Sequence, residues 1–87
     1  MRPEVVNRVE GSNVYEIPAK SAEVGDILLI RPGDRIPLDG TVAEGTSRID
    51  TSPVTGEPVP VAVSPGSSLV SGCVNEQGVL KMKVEKN

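Results

Sequence analysis

A single carboxylate, Glu57, stands in a setting that would let it do chemistry. It lies within the run Asp50-Thr51-Ser52-Pro53-Val54-Thr55-Gly56-Glu57-Pro58-Val59-Pro60. Pro58 disfavours the helical region for Glu57, Pro53 does the same for Ser52, and Gly56 alone takes a positive φ without strain. The expected product is a sharp turn, stiffened on both sides, with one acid held outward at its tip. A stiff, exposed acid suits a group that positions water or takes its proton, because no ordering entropy then opposes the reaction. Thr-Gly-Glu alone is a short motif, and a solvated surface loop is the more ordinary reading of the same residues.

Other chemistries are closed by composition. With no His and one Cys, the 87-residue chain has no side-chain set for a zinc, haem or iron-sulfur centre and no Ser/His or Cys/His pair. Cys73 cannot form an internal disulfide and reads as a small buried hydrophobe in a reducing compartment. A net charge of −3, scattered basic residues and a lone aromatic, Tyr15, argue against a nucleic-acid or anionic-membrane binder. The longest apolar run, Ile27-Leu28-Leu29-Ile30, is far short of the ~20 residues that cross a bilayer, and no leader is expected before it.

The elements that must hold the Glu57 turn read as strands. No segment repeats apolar residues at helical spacing, and turn signals recur about every eight to twelve residues, as in a sandwich, jelly roll or barrel. Residues 1–87 are expected to form one domain, since a chain of this length holds one core. Val5 to Val9 and Val14 to Ile17 are expected to pair around Gly11-Ser12-Asn13, and Ile27 to Ile30 to be buried on both faces. Pro32-Gly33 and Pro65-Gly66 signal turns, and Asp39-Gly40 signals a two-residue hairpin between Arg35–Leu38 and Thr41–Ala43. One helical turn is expected near Ser21–Val24, ended by Gly25, whereas residues 48–55 read as irregular. Val59, Val61 and Val63 alternate as the packed face of a proline-bearing edge strand. A last hairpin joins Leu69–Val74 to Val79–Val84 around Asn75-Glu76-Gln77-Gly78, with Leu80, Met82 and Val84 inward and Lys81 and Lys83 outward. Asp34 and Asp39 read as turn residues, and Arg31, Arg35 and Arg48 as solvated surface or contacts to a partner.

Four blocks carry a family resemblance: Val24-Gly25-Asp26, Arg31 through Gly40, Asp50 through Val61, and Ser71-Gly72-Cys73-Val74-Asn75. In order and spacing they resemble the actuator domain of P-type ATPases, the cation pumps that pass through an aspartyl phosphate. The Arg-Pro-Gly-Asp-Arg-Ile-Pro-Leu-Asp-Gly block is similar to the heavy-metal subfamily. Asp50-Thr51-Ser52 is more similar to its zinc, cadmium and lead pumps than to its copper pumps, which more often carry Asp-Glu-Ser.

The resemblance implies a distorted jelly roll, or double-stranded β-helix of short strands, with at most one or two short helical turns. Carried over by position, it implies that Glu57 orients the water attacking the phosphoenzyme, that Gly56 lets the backbone approach the phosphoryl group, and that Thr55 fixes the loop. Pro58 stands where many members have Ser, so that hydroxyl's hydrogen bonds are absent here. The domain would be monomeric, would sit on the cytoplasmic side of a membrane protein, and would meet that pump's phosphorylation and nucleotide-binding domains and transmembrane helices. ATP and magnesium would serve the full-length pump, with no cofactor held here and the transported metal bound elsewhere. The competing reading is a self-contained β-barrel binding or carrier module, faintly suggested by Lys81-Met82-Lys83.

Alone, the fragment is expected to hydrolyse nothing and, with one thiol, no imidazole and no phosphate-cradling Gly-rich loop before a helix, to bind neither the transported metal nor ATP with useful affinity. Titration calorimetry with zinc, copper(I) and Mg-ATP should show no binding at micromolar or tighter affinity.

Overall fold

The computed structural model describes residues 5–86. Among the described residues, two antiparallel sheets carry nine strands. The larger holds β1 (Val5–Glu10), β2 (Asn13–Pro18), β3 (Ile27–Ile30), β4 (Gly40–Glu44), β7 (Ser68–Leu69) and β9 (Leu80–Val84), in the order β2-β1-β3-β9-β4-β7. The smaller holds β5 (Ser47–Asp50), β6 (Val61–Val63) and β8 (Val74–Asn75), in the order β6-β5-β8. The helical content is a 3-10 turn at Ala19–Ser21 and a four-residue helix, α1 (Ser52–Thr55). The all-β expectation holds.

One apolar cluster draws on both sheets, with Leu28, Val42, Met82 and Val84 from the larger and Ile49 and Val63 from the smaller. Strand β9 runs through the middle of the larger sheet, pairing Met82 with Leu28 on one side and with Val42 on the other. Its alternation matches the sequence: Leu80, Met82 and Val84 are fully buried and Lys83 is exposed. Cys73 is buried as a small hydrophobe.

Several local expectations are corrected. The first hairpin forms, but Asn13 joins β2 opposite Glu10, which leaves a two-residue turn with Gly11 at φ 61°. That geometry suits a turn with glycine first and φ positive there only. Strand β3 buries Leu28 and Ile30 while Ile27 and Leu29 stay half-buried, because only one face of the sheet meets the core. The helical turn falls at Ala19–Ser21, directly after Pro18, whose φ of −59° is preset for it. Residues 23–26 instead form a tight turn, with the Asp26 carboxylate accepting from the Glu23 amide at 2.9 Å.

No hairpin forms at Asp39-Gly40. The Asp39 carboxylate accepts from the Ser71 amide at 2.8 Å, and Gly40 opens β4 between β9 and β7. Glycine is needed there for close approach: a Cβ on Gly40 would lie 2.1 Å from the Lys83 carbonyl oxygen. Of Arg35–Leu38, only Arg35 makes a bridge, to Val74. In the alternating valine run only Val63 is buried, with Val59 65% and Val61 47% exposed. Pro58 and Pro60 lack amide donors, so the ladder begins at Val61; β6 is nevertheless an edge, as its prolines suggested.

The expected last hairpin is replaced by a polar hub. Asn75 is fully buried, and all of its polar groups are partnered. Its side-chain amide donates to the carbonyls of Ile30 at 3.2 Å and Gly78 at 2.7 Å, and its side-chain oxygen accepts from the Ser47 hydroxyl. Its backbone amide donates to Asp34 at 2.8 Å, and its carbonyl accepts from Gly33 at 2.7 Å. The Ser47 oxygen in turn accepts from the amides of Gln77 at 3.2 Å and Gly78 at 2.9 Å. With Asn75 so occupied and β8 paired to β5, residues 74–75 have no bonds left for β9.

Asn75→Ala removes the donors to the Ile30 and Gly78 carbonyls and one acceptor of the Ser47 hydroxyl at a fully buried position, a loss of about 3 kcal/mol. For a domain this size that is a fall in Tm of roughly 12–24 °C. Thermal unfolding of the isolated domain followed by circular dichroism checks it.

Candidate functional site

The Glu57 turn connects two neighbouring antiparallel strands, β5 and β6. Register places Ser47 opposite Val63, Arg48 opposite Ala62 and Ile49 opposite Val61, so both ends of the loop at residues 51–60 are fixed by a ladder. On its other edge β5 meets β8, with Ile49 opposite Asn75 and Asp50 opposite Val74. The hub therefore lies one residue from the end of the strand that launches the loop. Neither β5 nor α1 was legible in the sequence, where residues 48–55 read as irregular.

Helix α1 begins with no cap from the Thr51 side chain, although Thr51 occupies the capping position. The Asp50 carboxylate accepts from the Ser52 amide at 2.9 Å, satisfying a donor that the first turn leaves open. Hydrogen bonds from the Ser52 hydroxyl and then the Ser52 amide hold the Asp50 carboxyl below its ordinary value. Pro53 sits in the first turn, where a missing donor costs nothing. At the other end Gly56 has φ 77° and ψ −1°, and its amide closes the helix on the Ser52 carbonyl at 2.9 Å. This is the left-handed cap that favours glycine. A Cβ on Gly56 would meet no atom within 4 Å, so the demand for glycine comes from the backbone angle and not from space.

Thr55 ties the turn together through one oxygen. Its hydroxyl donates to the Thr51 carbonyl at 3.1 Å and accepts from the Glu57 amide at 3.1 Å. The Thr51 hydroxyl is 3.3 Å from the same oxygen, which completes one donor and two acceptor contacts when Thr51 donates. Val54 lies against Gly72, at 3.4 Å from where a Cβ there would be. Thr55, Gly56 and Glu57 thus share one tight turn, all three exposed. The Glu57 carboxylate makes no hydrogen bond or ion pair among the described residues, and is free for a group arriving from outside.

Several of the remaining candidates have structural partners. Asp34 accepts from the Arg31 amide at 2.8 Å, as a turn residue does. Arg35, read as surface, is half-buried and donates to the Gly72 carbonyl at 2.8 Å, while Arg31 and Arg48 are exposed. Lys81 lies within β9 and pairs with Glu44 at 3.3 Å, unlike a carrier lysine at a hairpin tip. Burial, and then the charges of Asp50 and Asp39, push the Cys73 thiol up, which makes it a poor nucleophile. A cleft of about 260 Å³ opens beside Val5, Asn7, Leu29 and Arg35, and none of Thr55, Gly56 or Glu57 lines it. Among the described residues no group of three or more His, Cys, Asp or Glu side chains gathers to hold a metal ion, and no helix is long and apolar enough to cross a membrane. Sequence reasoning missed Asp50 as the cap of α1 and Asn75 as a buried hub; the Asx spacing to Ser52 was the available signal for the first.

The lowered Asp50 carboxyl fixes the sign of a pH effect. Such a group stabilises the fold above its unfolded value of ~3.9 and loses that contribution as pH falls through its folded value. The stability difference between wild type and Asp50→Asn should therefore be largest above pH ~4 and shrink under stronger acid, as read by urea unfolding across that range.

Residues 1–87 match a family model described as the P-type ATPase actuator domain. A zinc-transporting ATPase of Synechocystis sp. is 40% identical over 85 residues, covering 98% of this chain and 12% of that protein. Copper-transporting ATPase 1 of Rhizobium meliloti is 40% identical over 86 residues, covering 99% of this chain and 10% of that protein. The chain thus spans about an eighth or less of the length of these relatives. Among solved structures, a zinc-transporting PIB-type ATPase in the E2.Pi state matches 99% of this chain and 14% of its own at a TM-score of 0.93, with 26% identity.

Proposed function

The chain belongs to the family of P-type ATPase actuator domains, and on that premise we propose that it serves a heavy-metal cation pump by promoting hydrolysis of an aspartyl phosphate through Glu57. The observation that carries this reading is the turn itself. An unpaired carboxylate stands at the tip of a loop whose backbone is set by the Gly56 cap and the Thr55 hydroxyl. In the proposed step a water oxygen attacks phosphorus, the bond from phosphorus to the aspartyl oxygen breaks, and the aspartate leaves as a carboxylate. Glu57 orients the water and takes its proton. Gly56, with no side chain, lets the loop come close to the phosphoryl group, and Thr55 keeps the Glu57 amide in place.

The phosphorylated aspartate, the nucleotide with its magnesium, and the membrane path would belong to other parts of the same protein, with this domain on the cytoplasmic side. Transport coupling would follow from the domain's moving to and from the phosphorylation domain, since nothing in the described residues provides a second active centre. Within the heavy-metal class, Asp50-Thr51-Ser52 favours a zinc and cadmium cargo over copper.

A carboxylate acting as base typically contributes ~10²–10⁴ in rate, or about 2.7–5.4 kcal/mol of barrier. Glu57→Gln in the full-length pump should slow phosphoenzyme decay by that order and leave its formation from ATP intact, and Gly56→Ala should act in the same direction by shifting the turn. A chase of labelled phosphoenzyme reads both rates; decay of Glu57→Gln at the wild-type rate refutes the assigned role.

A further inference from the structure

Helix α1 is a short lever, and its fulcrum is Asp50. Four residues span about 6 Å along a helix axis, so a change of roughly 10° in the direction of departure from β5 moves the far end by about 1 Å. A misplacement of that size can cost about 10²-fold in rate where a reacting group must be aligned. Two observations locate control of that direction at one side chain. Asp50 is the last residue of β5, held opposite Val74 in the ladder, and its carboxylate reaches forward to the Ser52 amide at 2.9 Å. Thr51 makes no capping bond of its own, because its hydroxyl is turned toward Thr55.

We propose that Asp50 is a positioning residue for Glu57: by accepting from the Ser52 amide it sets the angle at which α1 leaves the sheet, and hence where the Glu57 carboxylate arrives. The proposal rests on the reading of Glu57 given above. What matters is the place of an acceptor oxygen, not the negative charge. Asparagine offers an acceptor at the same distance from the backbone and closes the same turn. Glutamate keeps the charge and moves the acceptor one methylene further out.

The test measures phosphoenzyme decay in the full-length pump for Asp50→Ala, Asp50→Asn, Asp50→Glu and Glu57→Gln, and for Asp50→Ala combined with Glu57→Gln. Asp50→Ala and Asp50→Glu should slow decay by ~10-fold or more, while Asp50→Asn stays within about twofold of wild type. Added to Glu57→Gln, Asp50→Ala should slow decay by no more than about twofold further, since residues acting through one group are not additive. The level of phosphoenzyme formed from ATP reports folding in every variant; if Asp50→Ala forms none, the contrast of Asn with Glu decides. Wild-type decay in Asp50→Glu alongside slow decay in Glu57→Gln overturns the positioning role alone. Equal slowing by Asp50→Ala with and without Glu57 also overturns it. Wild-type decay in Glu57→Gln overturns the underlying assignment of Glu57 instead.

Discussion

The side chain of Asn75 links segments that are distant in sequence: the end of β3 through Ile30, the start of β5 through Ser47, and the turn before β9 through Gly78. Its backbone adds the turn at Gly33 and Asp34. In a core with little aromatic bulk, hydrophobic area alone is weakly directional, and aliphatic side chains can repack at small cost. A fully satisfied buried amide is different, because each alternative arrangement strands a polar group away from water. It therefore favours one relative placement of the two sheets, and the apolar cluster fills the space so defined.

The site inherits its position from this hub by a short path. Asn75 sits opposite Ile49 in β5, Asp50 follows Ile49, and α1 departs from Asp50. Beyond that point the geometry is local. The Gly56 cap turns the chain, and the Thr55 oxygen holds both the end of the helix and the Glu57 amide. No apolar burial is spent on the tip, which leaves it exposed and able to meet another domain, while hydrogen bonds within the turn limit its freedom. This division would suit the role proposed for Glu57, that of a group travelling with a moving domain and arriving in one orientation.

What the sequence made legible follows the range of the interaction. The positive φ of Gly56 is set by its neighbours in the chain and could be read from them, whereas Ser52, expected to stay out of the helical region before Pro53, instead opens α1. The alternation of β9 could also be read, because Leu80, Met82 and Val84 lie on one face of a single strand. The Pro32-Gly33 and Pro65-Gly66 turns form with φ of 91° and 94° at their glycines. Pairings at long range were hidden. Asp39-Gly40 carries a hairpin signal, yet Gly40 is needed for its approach to Lys83. Asn75 looks like a loop residue until Ile30 and Ser47 are brought to it from 45 and 28 positions away. Strand β5 escaped notice because its alternation is of Ser47 and Ile49 inward against Arg48 outward, and a buried serine carries no hydrophobic signal.

The central claim is that the turn presenting Glu57 is preset in the domain itself and does not form only on docking. Backbone ¹⁵N relaxation of the isolated domain measures this directly. The account predicts order parameters near ~0.85 for the amides of Thr55, Gly56 and Glu57, comparable with those of β5 and β9. Values below ~0.6 confined to these residues would contradict it, because the carboxylate would then be ordered by its partner and not by Gly56 and Thr55.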